Sequence, residues 1–92
     1  MQVIWSMRAR RHLDEIITYI GNENPDAALH MDDLLYKAAE GLRIFPRRGR
    51  LGRINGTYEL VAHPNYILIY ALHHEIIYIV DVLHTAQQYP PE

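Results

Sequence analysis

The sequence contains no cysteine, and none of its apolar runs approaches the roughly 20 residues that a membrane-spanning helix requires. The absence of cysteine excludes disulfide bonds and thiolate metal sites, and it fits a reducing compartment. The N-terminal segment MQVIWSMRARR does not look like a signal peptide, because its short apolar stretch precedes the charged residues instead of following them. We therefore expect a cytoplasmic protein that does not associate with a membrane.

Positive charge is absent from the last part of the chain, because no lysine or arginine follows Arg53. The formal net charge is only −2, yet no acidic residue lies between Glu40 and Glu59. A basic strip in a nearly neutral protein indicates a local anionic partner, whereas general nucleic-acid binding usually requires a much more basic domain. Eight of the nine basic residues form two clusters: Arg8, Arg10 and Arg11, then Arg43, Arg47, Arg48, Arg50 and Arg53.

The first part of the chain predicts a strand followed by a helix. Gln2–Trp5 is β-prone, and Ser6 stands where a helix N-cap would stand. Gly21 and Asn22 should end the helix. Its apolar stripe has the spacing i, i+4, i+7, i+8 and i+11 and consists of Ala9, Leu13, Ile16, Ile17 and Ile20.

A second helix is predicted directly after the first. Asn24 is a good N-cap and Pro25 is favoured at the first helical position. Pro46 should stop this helix near Ile44 and Phe45. The short link between the two helices implies an antiparallel hairpin. The apolar stripe of the second helix consists of Ala27, Met31, Leu34, Leu35, Ala38 and Leu42.

Beyond the helices the composition changes to that of a loop and then of a sheet. The segment PRRGRLGRING, residues 46–56, is predicted to be a loop. Residues 57–62, 66–72 and 76–83 are β-prone and are joined by tight turns, which predicts a meander. The middle run is apolar on both faces, as expected of a central strand covered by helices. The predicted fold is one α+β domain, residues 1–92: an N-terminal strand, an α-helical hairpin and a three-stranded antiparallel meander.

This order of elements resembles the RelE/ParE superfamily of toxins from type II toxin–antitoxin systems. The resemblance covers nearly the whole chain and is closest to ParE, above all from Glu59 through HPNYILIY to the VLH of residues 82–84. The remaining matches are Trp5 with Ala9, Leu13, Ile16, Tyr19 and Ile20, then Asn24-Pro25 with Ala27-Ala28, and the segments FPRRGRLGR, GTYELVAHPNYILIYAL and VLHTAQQYP.

The resemblance implies one of two activities and a protein partner. ParE-type toxins are understood to poison DNA gyrase, whereas RelE-type toxins cut messenger RNA in the ribosomal A site. Both are held inactive by a cognate antitoxin whose disordered C-terminal segment folds over the toxin. A third interpretation is a toxin fold that is retained only as an interaction module. No cofactor and no metal site are expected in any of the three.

The choice between the two activities depends on the groups that could cleave RNA. Attack by a 2′-hydroxyl needs a general base, a general acid and positive charge at the phosphate. The candidates by resemblance are Arg53, Glu59, His63, His84 and Tyr89, of which Arg53, Glu59 and His84 form the best nuclease set. Three of them also have a structural interpretation: Glu59 would pair with a loop arginine, His84 would bond a neighbouring loop, and His63 would be a turn residue.

Because the predicted sheet has no fixed positive charge, gyrase inhibition is the preferred interpretation, with no catalytic residue. An mRNA endonuclease acting through the ribosome is the alternative. The loop arginines are the candidate partner-binding residues, by capture of an acidic antitoxin segment or by contact with gyrase or a phosphate. These residues are Arg47, Arg48, Arg50 and Arg53.

Overall fold

The computed structural model describes residues 1–91 and contains two helices beside one mixed sheet. Within that part of the chain, neither helix has the length and apolar character needed to cross a lipid bilayer. The elements in chain order are β1 (Gln2–Trp5), α1 (Met7–Gly21), α2 (Pro25–Gly41), β2 (Arg50–Leu51), β3 (Tyr58–His63), β4 (Tyr66–His73) and β5 (Ile76–His84).

The sheet has five strands in the order β1-β5-β4-β3-β2. The predicted antiparallel meander of β3, β4 and β5 is confirmed. β1 is an edge strand that pairs in parallel with β5, so the first and last strands of the chain are neighbours in the sheet. The loop prediction is wrong at two residues: Arg50 and Leu51 form β2, which pairs with Glu59 and Tyr58. Backbone pairing with β3 thus orders one part of the arginine-rich segment.

Both predicted helix caps are confirmed. The Ser6 side chain accepts a hydrogen bond from Ala9 N, and the Asn24 side chain accepts one from Ala27 N. Ser6 Oγ also donates to Val80 O at 2.9 Å, which ties the start of α1 to β5.

The predicted end of the second helix is wrong by several residues. α2 ends at Gly41, five positions before Pro46, and residues 42–44 form a turn. Leu42 N donates to Ala39 O and Arg43 N to Glu40 O, which is the tighter i−3 pattern of a closing turn. Leu42 itself is completely buried. The chain thus leaves the helix and buries Leu42 in the core four residues before Pro46.

The helices cover one face of the sheet only. Tyr66, Leu68 and Tyr70 share one face of β4 and pack against the helices. The alternate residues Ile67 and Ile69 form a second buried cluster on the opposite face. The expectation that helices cover both faces of β4 is therefore wrong. Val80 and Tyr89 pack on this second cluster, and Tyr89 comes from the segment that follows the last strand.

Candidate functional site

Two arginines of the loop converge on one carboxylate. Glu59 of β3 lies opposite Ile69 of β4, so its side chain is on the sheet face that the helices leave uncovered. Arg53 N donates to Glu59 Oε2 at 2.9 Å, and its guanidinium donates through Nε (3.1 Å) and Nη2 (2.9 Å). Arg50 Nη2 adds a bond of 3.1 Å to Oε1. The prediction that Glu59 pairs with a loop arginine is confirmed.

Charge and burial both act on the Glu59 carboxyl group. Its side chain is only 1% exposed, whereas those of Arg53 and Arg50 are 44% and 60% exposed. Hydrogen bonds from the Arg53 guanidinium lower the pKa of Glu59 to about 2, although burial acts in the opposite direction. The hydrogen bonds to Glu59 in turn raise the pKa of Arg53. Glu59 is therefore a fixed anion near neutral pH, and such a group is a poor general base.

Tyr89 completes this cluster from the C-terminal segment. The Arg53 guanidinium lies 5.3 Å from the centre of the Tyr89 ring, and Arg53 Nη1 donates to Tyr89 O at 3.3 Å. Burial raises the pKa of the Tyr89 hydroxyl, with the charges of Asp81 and Glu59 acting in the same direction. Arg53 thus connects the loop, β3 and the C-terminal segment.

The histidine of the nuclease set lies on the other face of the sheet. His84 of β5 is directly opposite Tyr66, whose ring belongs to the helix-covered core, while Glu59 is opposite Ile69. The rings of Tyr66 and His84 contact edge to face, with centroids 5.4 Å apart. The structure therefore brings Arg53 and Glu59 together and separates both from His84.

The two strand-end histidines serve their local turns. His84 Nδ1 accepts a hydrogen bond from Ala86 N, and His63 Nδ1 accepts one from Asn65 N, each at 3.0 Å. Both side chains hold the backbone two residues further along the chain. The prediction of a loop-bonded His84 is confirmed. The prediction of a turn residue at His63 is wrong, because His63 is the last residue of β3 and pairs with Tyr66, and only its side chain bonds the turn.

The four candidate partner-binding arginines fall into two pairs. Arg50 and Arg53 bind Glu59, as described above. Arg47 and Arg48 are exposed, and within residues 1–91 their side chains form no hydrogen bond or ion pair. They border an open hollow of about 620 Å³ whose other lining residues are Ile44, Phe45 and Pro46.

A histidine–aspartate contact was not anticipated from the sequence. His12 Nδ1 of α1 is within hydrogen-bond distance of Asp81 Oδ1 of β5, and Val82 N donates to the same oxygen at 2.8 Å. The Asp81 side chain is 6% exposed. One signal was present, since Asp81 is the only charged residue of the apolar strand Ile76–His84 apart from histidine. His12 also lines a cleft of about 460 Å³ that contains Glu15, Tyr66 and His84.

Comparison with protein families gives one match over almost the whole chain. The model described as "ParE toxin of type II toxin-antitoxin system, parDE" matches residues 3–89. The chain is 40% identical over 90 residues to "Putative toxin Y4kP" of Sinorhizobium fredii, which covers 97% of this chain and 93% of that protein. It is 38% identical over 86 residues to "Toxin RelE2" of Caulobacter vibrioides, covering 94% and 97%.

Solved structures share the fold at low sequence identity. "Chromosomal ParDE TA system from P. aeruginosa" superposes with a TM-score of 0.82 at 18% identity, over 91% of this chain and 95% of that chain. The conserved hypothetical protein HP0894 of Helicobacter pylori superposes with a TM-score of 0.63 at 15% identity, over 95% and 97%. The predicted α+β architecture is thus confirmed.

Proposed function

The chain belongs to the ParE toxin family of type II toxin–antitoxin systems, and on this premise we propose that it arrests growth by inhibiting DNA gyrase in the cytoplasm. A cognate antitoxin neutralises it by covering its surface. In this proposal the toxin acts by binding and is not an enzyme. The family match supports the toxin class. The choice between gyrase and messenger RNA as the target depends on the cluster of Arg50, Arg53 and Glu59.

The bonding of Arg53 to Glu59 is the observation that favours gyrase inhibition over RNA cleavage. A site that cleaves RNA needs positive charge at the phosphate and a base that can take up a proton. Arg53 is the last lysine or arginine of the chain, and it is bonded to Glu59. That bond lowers the pKa of Glu59 to about 2, which makes Glu59 a weak base at neutral pH. The sheet does carry one arginine, since Arg50 lies in β2, but Arg50 is also bonded to Glu59. The bonding of both arginines to one carboxylate supports action by binding.

Purified toxin can be tested against both targets in parallel. We expect it to block supercoiling of relaxed plasmid by gyrase, or to trap gyrase-cleaved DNA, and to leave ribosome-bound messenger RNA intact. Cleavage of that message in the A site would overturn the proposal. Absence of growth arrest in cells that lack the antitoxin would also overturn it, and would favour a toxin fold kept as an interaction module.

Ribosome-dependent mRNA cleavage is the second candidate, because one relative with 38% identity is named Toxin RelE2. This candidate would use Arg53, Glu59 and His84. His84→Ala tests it, with His30→Ala as the matched control, since both histidines are exposed. Growth arrest that survives His84→Ala in a folded protein contradicts an acid–base role for His84. Loss of arrest together with loss of mRNA cleavage would support it.

A further inference from the structure

The segment that follows α2 exposes two large apolar side chains side by side. Ile44 is 74% exposed and Phe45 is 65% exposed. Together with Pro46, Arg47 and Arg48 they line the hollow of about 620 Å³, and we call these five residues the 44–48 surface. Adjacent exposed apolar residues that line a concave surface are typical of a protein contact site.

A buried residue before the 44–48 surface, and hydrogen bonds within it and after it, hold this surface in place. Before it, Leu42 is fully buried in the helix-covered core. Within it, Ile44 N donates to Gly41 O at 3.2 Å and Arg48 N donates to Phe45 O at 3.1 Å. After it, Gly49 N donates to the Tyr70 hydroxyl at 2.9 Å. A segment fixed in this way loses little conformational entropy when a partner binds.

The charge of the 44–48 surface is positive and locally uncompensated. Arg47 and Arg48 make no side-chain ion pair with another residue in the described range 1–91, whereas Arg50 and Arg53 share the carboxylate of Glu59. No acidic residue occurs in the sequence between Glu40 and Glu59. Arginine pairs well with carboxylates because its guanidinium donates two parallel hydrogen bonds. A partner that matches this surface therefore presents carboxylates beside an apolar side chain.

We propose that the 44–48 surface binds a segment of the antitoxin that inserts one large apolar side chain beside Phe45 and places carboxylates against Arg47 and Arg48. The inference rests on the proposed function in one respect, since it takes the occupant to be the antitoxin. It adds which part of the toxin is bound and which chemistry is recognised. It also divides the arginine-rich segment: residues 47 and 48 contact the partner, while residues 50 and 53 maintain the fold.

The apolar part of the contact is tested by Phe45→Ala. The measurement is the affinity of the purified toxin for the full-length antitoxin encoded with it, by isothermal titration calorimetry. Truncation of a central apolar anchor should weaken binding by about 30-fold or more. Leu29→Ala is the matched control, since Leu29 is a comparably exposed apolar residue of α2, at 69%, and should change the affinity less than about threefold.

The charged part is tested by the double variant Arg47→Glu/Arg48→Glu. We expect about tenfold weaker binding in low salt, with a smaller loss in high salt because exposed charges are screened. Arg10→Glu/Arg11→Glu makes the same change of net charge on the exposed surface of α1. Equal weakening by both double variants would show general electrostatic attraction and would overturn the proposed contact.

The remaining outcomes separate this inference from the gyrase proposal. Cells that express Phe45→Ala should still arrest, but co-expressed antitoxin should rescue them poorly. Unchanged antitoxin affinity overturns the inference and leaves the gyrase result standing on its own assay. Loss of gyrase inhibition with intact antitoxin binding would assign the surface to the target instead. A wild-type dimer that becomes monomeric in Phe45→Ala would assign it to a second copy of the chain.

Discussion

Arg53 holds the buried carboxylate of Glu59 with one backbone and two side-chain hydrogen bonds, all between 2.9 and 3.1 Å. Three bonds from one residue fix the end of the arginine-rich segment against β3. The same guanidinium contacts Tyr89, so the segment and the residues after β5 are held on one face of the sheet. Arg53 and Glu59 therefore stabilise the fold by joining the loop, β3 and the C-terminal segment.

Replacement of Glu59 by glutamine should remove a pH-dependent part of the stability. The folded-state pKa of about 2 is below the ordinary value of 4.5, so the folded state favours the ionised form. The stabilisation is complete above about pH 4.5 and is lost as the pH falls through about 2. A difference of this size corresponds to about 3 kcal/mol. Glu59→Gln should cost about that much at pH 7 and progressively less between pH 4.5 and 2, as measured by urea unfolding.

Glu40→Gln is the control for this experiment. Glu40 pairs with Arg43 on the surface, where both side chains are more exposed than Glu59. Its replacement should change the unfolding free energy by less than about 1 kcal/mol at every pH. If the wild-type protein and Glu59→Gln differ by the same amount from pH 7 to pH 2, Glu59 does not carry the predicted linkage.

The two arginines that bind Glu59 should contribute unequally. Arg53 donates two side-chain bonds to Glu59 and one to Tyr89 O, whereas Arg50 donates one bond of 3.1 Å to Glu59 and its side chain is 60% exposed. Arg53→Ala should destabilise the protein by about 2–3 kcal/mol, and Arg50→Ala by about 1 kcal/mol or less. Chemical unfolding of both variants gives the comparison. Equal costs would mean that Arg53 has no special place in the cluster.

The contact between His12 and Asp81 should stabilise the packing of α1 on β5. His12→Ala leaves the nearly buried Asp81 carboxylate with the bond from Val82 N but without its partner on α1. We expect a loss of about 1–3 kcal/mol in unfolding free energy at pH 7. His30→Ala removes an exposed histidine of α2 and should change the stability by less than about 0.5 kcal/mol. Similar values for both variants would contradict a structural role for the contact.

Two glycines should respond to alanine in opposite directions. A Cβ at Gly49 would lie 2.8 Å from Glu59 O and 2.8 Å from the Tyr70 hydroxyl, so the loop must move away from β3. Gly49→Ala should therefore destabilise the protein by at least about 1 kcal/mol. A Cβ at Gly41 meets nothing within 4 Å, and alanine there should be neutral or stabilising by up to about 1 kcal/mol. Thermal unfolding measures both, and a stable Gly49→Ala would refute the close approach.

The secondary structure was largely predictable because its signals are local. Ser6 and Asn24 cap the helices by bonding residues three positions away. The three strands of the meander follow from β-prone runs and tight turns. The end of α2 was not predictable from Pro46, because the burial of Leu42 depends on a core built from distant strands. The strand Arg50–Leu51 was missed for a similar reason, since its pairing partner lies in β3.

The candidate site was only partly predictable. The arginine-rich segment and Glu59 stand out in the sequence, and their pairing could be anticipated. The sequence could not indicate which arginines pair, because Arg50 lies opposite Glu59 only through the pairing of β2 with β3, whereas Arg48 lies before that strand. Exposure of Ile44 and Phe45 was likewise hidden, since apolar residues next to a helix normally join the core.

The sequence by itself determined the class of this protein: one α+β domain with the order of elements of ParE toxins, and no positive charge after Arg53. Only the tertiary structure decided the roles of the individual charges. It placed Glu59 on the sheet face away from His84 and bonded Arg50 and Arg53 to it, while Arg47 and Arg48 stayed exposed beside Phe45. The physical reason is that composition follows from the chain alone, whereas a charge acquires its partner and its pKa only from neighbours that folding brings together.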